Sequence, residues 1–185
     1  MLKNKSEKGK GKRRKGWDEY FLDIARLVAE RSTCLRRRVG AVLVREKRIL
    51  CTGYNGVPHN MAHCERVGCL RERLKIPAGE RIEICRGIHA EQNTLVQAAT
   101  FGIGVSGATL YCTHAPCITC AKMLINAGIK EFVIADDYPD DFARKFIKEA
   151  KVKLRQVKAA QIGRPRKRAR FCAIPGDSRQ RKWDG

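Results

Sequence analysis

His89-Ala90-Glu91 and Pro116-Cys117-Ile118-Thr119-Cys120 stand apart in the chain, and each opens a stretch whose apolar residues recur at helical spacing. Cys117 and Cys120, three residues apart, present their sulfurs from one turn of a helix. The positive end of that helix favours thiolate over thiol. His89 adds an imidazole nitrogen, and three protein donors leave the fourth corner of a tetrahedral Zn²⁺ open for water, which marks a catalytic rather than a structural metal. Glu91, two residues from a ligand and not itself bound, can take a proton from that water and pass it on.

Neither piece is specific alone. His-Ala-Glu is commonplace, and a lone Cys-x-x-Cys suits structural zinc or core packing equally well. Together they match the zinc-deaminase signature, with a helix start at each, a strand between them and Pro116 directly before the first cysteine. The chemistry is then attack of water on C4 of a cytosine ring. Glu91 delivers the proton to the ring and to the leaving amine, so that ammonia departs and uracil remains.

Regular elements must hold these residues in place. Tyr20, Phe21, Ile24, Leu27 and Val28 share one face of a helix predicted over 17–31. Val39 to Arg45 and Ile49 to Tyr54 are β-rich runs separated by charged residues, which predicts a hairpin. From His89 onward the pattern alternates: helix 89–101, strand 108–113, helix 117–127, strand 131–135, helix 140–150 and strand 152–157. Gly128 falls where a helix C-terminal cap is expected. This alternation predicts one layered α/β domain over 17–160. The leader 1–16 and the tail 161–185 are read as basic, disordered extensions.

The net charge of +20 lies mostly in those ends. Residues 1–16 hold eight Lys/Arg against Glu7, and residues 151–185 hold twelve against Asp177 and Asp184, leaving about +3 for the body. A nearly neutral body fits a small-molecule enzyme with solvated arms. No apolar run approaches the roughly 18–20 residues of a membrane span, and no export signal precedes the first helix, so a cytoplasmic location is expected.

Nine cysteines, an odd number, then argue for metal rather than disulfides. Cys34, Cys64, Cys69 and Cys85 flank or lie within residues 55–88, a stretch too long to be structureless in a compact domain. A closed four-thiolate zinc would pin it, with His63 able to replace one sulfur; the alternative is that some of them are buried small hydrophobes. Cys51 and Cys112 fall in predicted strands as core residues, and Cys172 has no assigned role.

Beyond the zinc motif the chain resembles the deoxycytidylate (dCMP) deaminases, especially the bacterial late-competence branch, over roughly residues 17–157. The marks are Trp17-Asp18-Glu19-Tyr20-Phe21, Arg31-Ser32-Thr33-Cys34, Val39-Gly40-Ala41, Gly53-Tyr54-Asn55-Gly56, His63-Cys64, His89-Ala90-Glu91-Gln92-Asn93, Thr113-His114-Ala115-Pro116-Cys117 and Asn126-Ala127-Gly128-Ile129-Lys130. The resemblance implies a three-layer α/β/α cytidine-deaminase fold with a mixed five-stranded sheet, and conversion of dCMP to dUMP on the route to thymidylate. It implies a homo-oligomer, hexamer or dimer, with dCTP and dTTP as effectors and Mg²⁺ accompanying the regulatory nucleotide. By matching position it assigns Asn55 to the nucleotide, Arg26 and Tyr138 to the phosphate and to closing the site, and Ala90 to the substrate face. Where the family shows a glycine-rich stretch after Pro58, this chain has His59-Asn60-Met61-Ala62.

Two other readings stay open at this level. A polynucleotide deaminase of the tRNA adenosine deaminase kind shares the zinc motif, and the basic ends suit it. A non-enzymatic nucleic-acid-binding protein would also use those ends, but structure alone does not require Glu91.

Overall fold

Helix α1 (Trp17–Ala29) buries Phe21, Leu22, Ala25 and Ala29, one stripe of its surface, and ends two residues before the predicted limit. The computed structural model describes residues 14–77 and 79–157. The expected extensions lie outside these residues save for 14–16, as does Cys172. Strands β1 (Gly40–Arg45) and β2 (Arg48–Tyr54) form the expected antiparallel hairpin. Its two-residue turn places Glu46 and Lys47 at φ 51° and 60°, the positive-φ geometry whose twist matches that of paired strands.

The stretch 55–88 holds two short helices, α2 (Cys64–Val67) and α3 (Leu70–Arg73), and a 3-10 turn at Ile82–Ile84. A bridge between Gly56 and Ile88 ties its two ends together. Helix α4 (Ala90–Thr100) follows, then β3 (Thr109–His114), α5 (Ile118–Asn126), β4 (Glu131–Asp136), α6 (Asp141–Glu149) and β5 (Lys153–Gln156).

The five strands make one mixed sheet in the order β2-β1-β3-β4-β5. β1 pairs antiparallel with β2 and β3, while β3–β4 and β4–β5 are parallel. Alternate side chains of a strand point to opposite faces, so the two faces carry separate cores. Ala41, Leu43, Leu110, Cys112 and Phe132 pack with Ala90, Ala98, Ala121, Leu124 and Ile147 of the helices α4 to α6. Val42, Val44, Tyr111, Val133 and Ala135 pack with Phe21, Leu22 and Ala25 of α1. This is the predicted α/β/α sandwich. Each large aliphatic or aromatic side chain so buried contributes on the order of 1.5–3 kcal/mol.

Two glycines let the helices approach the hairpin closely. A Cβ on Gly40 would stand 2.0 Å from Ala25 O, and one on Gly53 would stand 2.4 Å from Ala90 O. The second contact seats the first turn of α4 directly on β2. On the α1 side, Asp18 accepts from Arg155 Nη1 at 2.6 Å and from the Tyr111 hydroxyl at 3.0 Å. Arg155 Nε donates to Glu131 Oε1 at 2.7 Å, so one network joins α1, β3, β4 and β5.

Candidate active site

The first turns of α4 and α5 meet at one end of the sheet, beyond the C-terminal end of β3. His89 is the residue before α4, and its backbone N–H donates to Gln92 Oε1 at 2.9 Å, closing the helix start. Cys117 holds the same place before α5, and Cys120 is one turn on. His89 Nδ1 lies 3.5 Å from Cys117 Sγ and 3.4 Å from Cys120 Sγ.

All three donor atoms lie within 4.8 Å of one another. Ordinary Zn–N and Zn–S bond lengths at a tetrahedral angle put nitrogen and sulfur about 3.6 Å apart. The triad is therefore spaced to hold zinc, and its donors are the right kind. Protonation of the three groups is coupled through these short contacts. The Cys117 thiol is pushed down to about 4, first by the hydrogen bond from Cys120 and then by His89. Cys120 goes the other way because it donates in that bond and is buried. The hydrogen bond with Cys117 raises the His89 imidazole.

Glu91, on the first turn of α4, is 4% exposed, and burial pushes its carboxyl up to about 7. A carboxyl so poised can both take and give a proton near neutrality. It faces a cavity of about 270 Å³, lined also by His89, Cys117, Ala90, Asn55, His114 and Tyr138. Burial lowers the His114 imidazole, which favours its neutral form.

Of the substrate-facing residues expected from sequence, Asn55, Tyr138 and Ala90 line this cavity and Arg26 does not. Arg26 lies on α1, where it pairs with Asp23 at 3.4 Å, and α1 packs on the opposite face of the sheet from α4 and α5. Both ends of the Asn55 amide are engaged. Oδ1 accepts from Val39 N at 2.7 Å and Nδ2 donates to Arg37 O at 2.8 Å, so Asn55 holds the segment leading into β1.

The four cysteines Cys34, Cys64, Cys69 and Cys85 line the same cavity. Burial raises the Cys64 thiol, and the charges of Cys34, Cys85 and Cys69 raise it further. Among the described residues only the His89, Cys117 and Cys120 set draws its donor atoms within 4.8 Å; the four sulfurs are not gathered to that degree. His63 Nδ1 shares a hydrogen bond with Thr33 Oγ1 at 2.9 Å.

Sequence reasoning missed Asp140. Its Oδ1 accepts from Ala143 N at 2.9 Å and caps α6, while its Oδ2 accepts from Ile118 N at 2.8 Å, the residue after Cys117. An Asp before a helical run is a readable cap signal, but its reach to a second helix is not.

The chain matches the family described as the cytidine and deoxycytidylate deaminase zinc-binding region over residues 15–136. It belongs to that family. Deoxycytidylate deaminase of Schizosaccharomyces pombe is 41% identical over 144 residues, 77% of this chain and 44% of that protein. ComE operon protein 2 of Bacillus subtilis is 40% identical over 147 residues, covering 79% and 74%. The chain spans less than half the length of its yeast relatives. The crystal structure of dCMP deaminase from the cyanophage S-TIM5, in complex with dCMP and dUMP, superposes with a TM-score of 0.62 at 30% identity, over 75% of this chain and 95% of that one. The family's fold is the mixed sheet between helices described above. Among the described residues no helix is long and apolar enough to cross a membrane.

Proposed function

We propose that the chain deaminates dCMP to dUMP and ammonia by hydrolysis, supplying dUMP for thymidylate synthesis. The observation that carries this reading is a buried carboxyl poised at about 7, Glu91, beside a three-donor metal triad that opens into a cavity. The names of the relatives support it, as does the cyanophage deaminase complex with dCMP and dUMP.

His89, Cys117 and Cys120 would hold the zinc. The metal supplies a Lewis acid that makes water acidic enough to react near neutral pH. Glu91 takes the proton released when water adds to C4 and passes it to the ring nitrogen, then takes the proton of the new C4 hydroxyl and passes it to the amine, which departs as ammonia. Burial keeps its carboxylate from being stabilised by bulk water, so the proton moves in either direction at small cost. Tyr138 and Ala90 bound the cavity that receives the pyrimidine, and Asn55 holds the segment beside it.

Product analysis on dCMP, CMP, deoxycytidine and a cytosine-containing oligonucleotide tests the reading. Turnover of dCMP is the expected result; turnover confined to the oligonucleotide overturns it.

Cys34, Cys64, Cys69 and Cys85 are the proposed ligands of a second, structural zinc. Their shared cavity and the charge coupling at Cys64 support this. The same family reading extends to a homo-oligomer, hexamer or dimer, in the cytoplasm, with dCTP and dTTP as effectors and Mg²⁺ accompanying the regulatory nucleotide. Nucleic acid is not required for any of these steps.

A further inference from the structure

The end of the sheet opposite the catalytic cavity carries a second cleft, of about 220 Å³. The register pairs Val44 with Thr109 and Thr109 with Glu131, so this is the end where β3 and β4 start, whereas the metal triad lies beyond the C-terminal end of β3. Trp17, Arg45, Lys47 and Lys130 line the cleft, and Glu46 is the only acid in its lining. Arg48, which faces Arg45 across the hairpin, adds a fourth exposed cation beside it. Among the described residues none of Arg45, Lys47, Arg48 and Lys130 pairs with a carboxylate. Two acids close by are engaged elsewhere, Asp18 with Arg155 and Glu131 with Arg155 and Lys153. Arg45 Nη1 donates to the carbonyls of Gly104 at 3.0 Å and Ser106 at 3.2 Å, which fix the group without neutralising it.

Trp17 is 44% exposed. Its ring stacks on Phe21, with centroids 5.6 Å apart and planes at 20°, and Lys47 Nζ lies 5.4 Å from its centre. A large ring held by packing yet open to a cleft is a platform on which unpaired bases stack whatever their sequence. The ends of the chain add charge to this side. Residues 1–13 hold six Lys/Arg and one acid, and residues 158–185 hold nine and two. The first stretch leads into Trp17, and the second follows Val157, two residues after the Arg155 that pairs with Asp18 at 2.6 Å. Val157 packs in the same core as Phe21 of α1, so both basic stretches join the body on the α1 side of the sheet.

We propose that this face binds single-stranded nucleic acid without regard to sequence. Arg45, Lys47, Arg48 and Lys130 take phosphates, Trp17 takes a base, and the two basic stretches add long-range attraction for the backbone. A lipid surface offers the same negative charge but no flat ring for Trp17. This binding is a function separate from deamination, because the strand lies at the other end of the sheet and leaves the cavity beside Glu91 open.

The test uses the full-length protein with fluorescein-labelled oligodeoxythymidylate and oligouridylate, which offer no cytosine to the catalytic cavity. Anisotropy is expected to show binding to both that weakens as salt rises, with a slope of roughly 0.7 in log affinity per log salt for each phosphate neutralised. Lys47→Gln combined with Lys130→Gln, both at exposed positions, flattens that slope by about 1.4 and leaves thermal unfolding unchanged. Trp17→Leu, which keeps an apolar side chain against Phe21, lowers the affinity about 5- to 100-fold with little change in slope. An unchanged slope in the double lysine variant assigns all binding to the chain ends and overturns the surface. Binding to phosphatidylserine vesicles but to neither oligonucleotide overturns it in favour of a membrane, and tighter binding of duplex DNA than of single strands overturns the stacking role of Trp17. Competitive inhibition of dCMP turnover by oligodeoxythymidylate would put the strand in the catalytic cavity and overturn the separate site.

Discussion

Glu91 sits where a carboxylate is costly, and that cost is its use. The same burial that raises its carboxyl to about 7 matches it to proton transfer at neutral pH. Glu91→Gln keeps size and polarity but cannot carry a proton. Its expected outcome is unchanged zinc content by elemental analysis and a loss of dCMP turnover of at least ~10²- to 10⁴-fold. Retained turnover would remove Glu91 from the mechanism. Glu91 could be read from sequence because the signature is local, two residues from a ligand at a helix start. Arg71 could not be read that way, because its burial and its bonds to the carbonyls of Pro77 and Glu80 depend on how the chain folds around it.

At the scale of elements, Asp140 links two helices through one side chain. It caps α6 through Ala143 N and fastens the start of α5 through Ile118 N, next to Cys117. Losing a helix cap costs about 1 kcal/mol. Asp140→Ala should therefore lower the melting temperature and also speed the loss of zinc to a chelator, because Cys117 then sits on an unfastened turn. A lowered melting temperature with unchanged zinc retention would limit Asp140 to capping α6.

The Asp18 network belongs to the same scale. The hydrogen bond from Arg155 lowers the Asp18 carboxyl below its ordinary 3.8, aided by Tyr111 and opposed by burial. A carboxyl lowered on folding contributes stability that is complete above 3.8 and is lost as pH falls through its folded value. Unfolding followed against pH should show Asp18→Asn less stable at neutrality and less sensitive to acid below about pH 4. Parallel curves for the two proteins would show that the network adds nothing linked to this proton. Trp17-Asp18-Glu19 was legible as a family mark, and the structure gives its aspartate a structural task, fastening α1 to the far edge of the sheet.

For the whole molecule, zinc and fold are coupled. His89 and the two cysteines come from separate helices, so a metal that binds them favours the folded state by mass action. Chelation should lower the melting temperature, and added Zn²⁺ should restore it. Elemental analysis of fully active protein near two zinc per chain supports the four-cysteine site, and a value near one removes it. The four cysteines show the limit of reading by type and count. Sequence identified them as unaccounted for and near one long segment, and the structure brings all four to one cavity without drawing their sulfurs together.

The amino-acid sequence alone determined the elements of the layered core and the types of the metal donors, because both are written in short-range patterns, while the short helices within 55–88 and the meeting of His89 with the two cysteines are tertiary. Apolar residues at spacings of two or 3.6 place strands and helices. Donors one turn apart at a helix start act together wherever that helix lies. The tertiary structure alone decided the strand order, the removal of Arg26 to the far face of the sheet, the double cap of Asp140 and the burial of Arg71. Each of these depends on which surfaces meet after the chain has crossed over itself, and no local pattern of residue types encodes that.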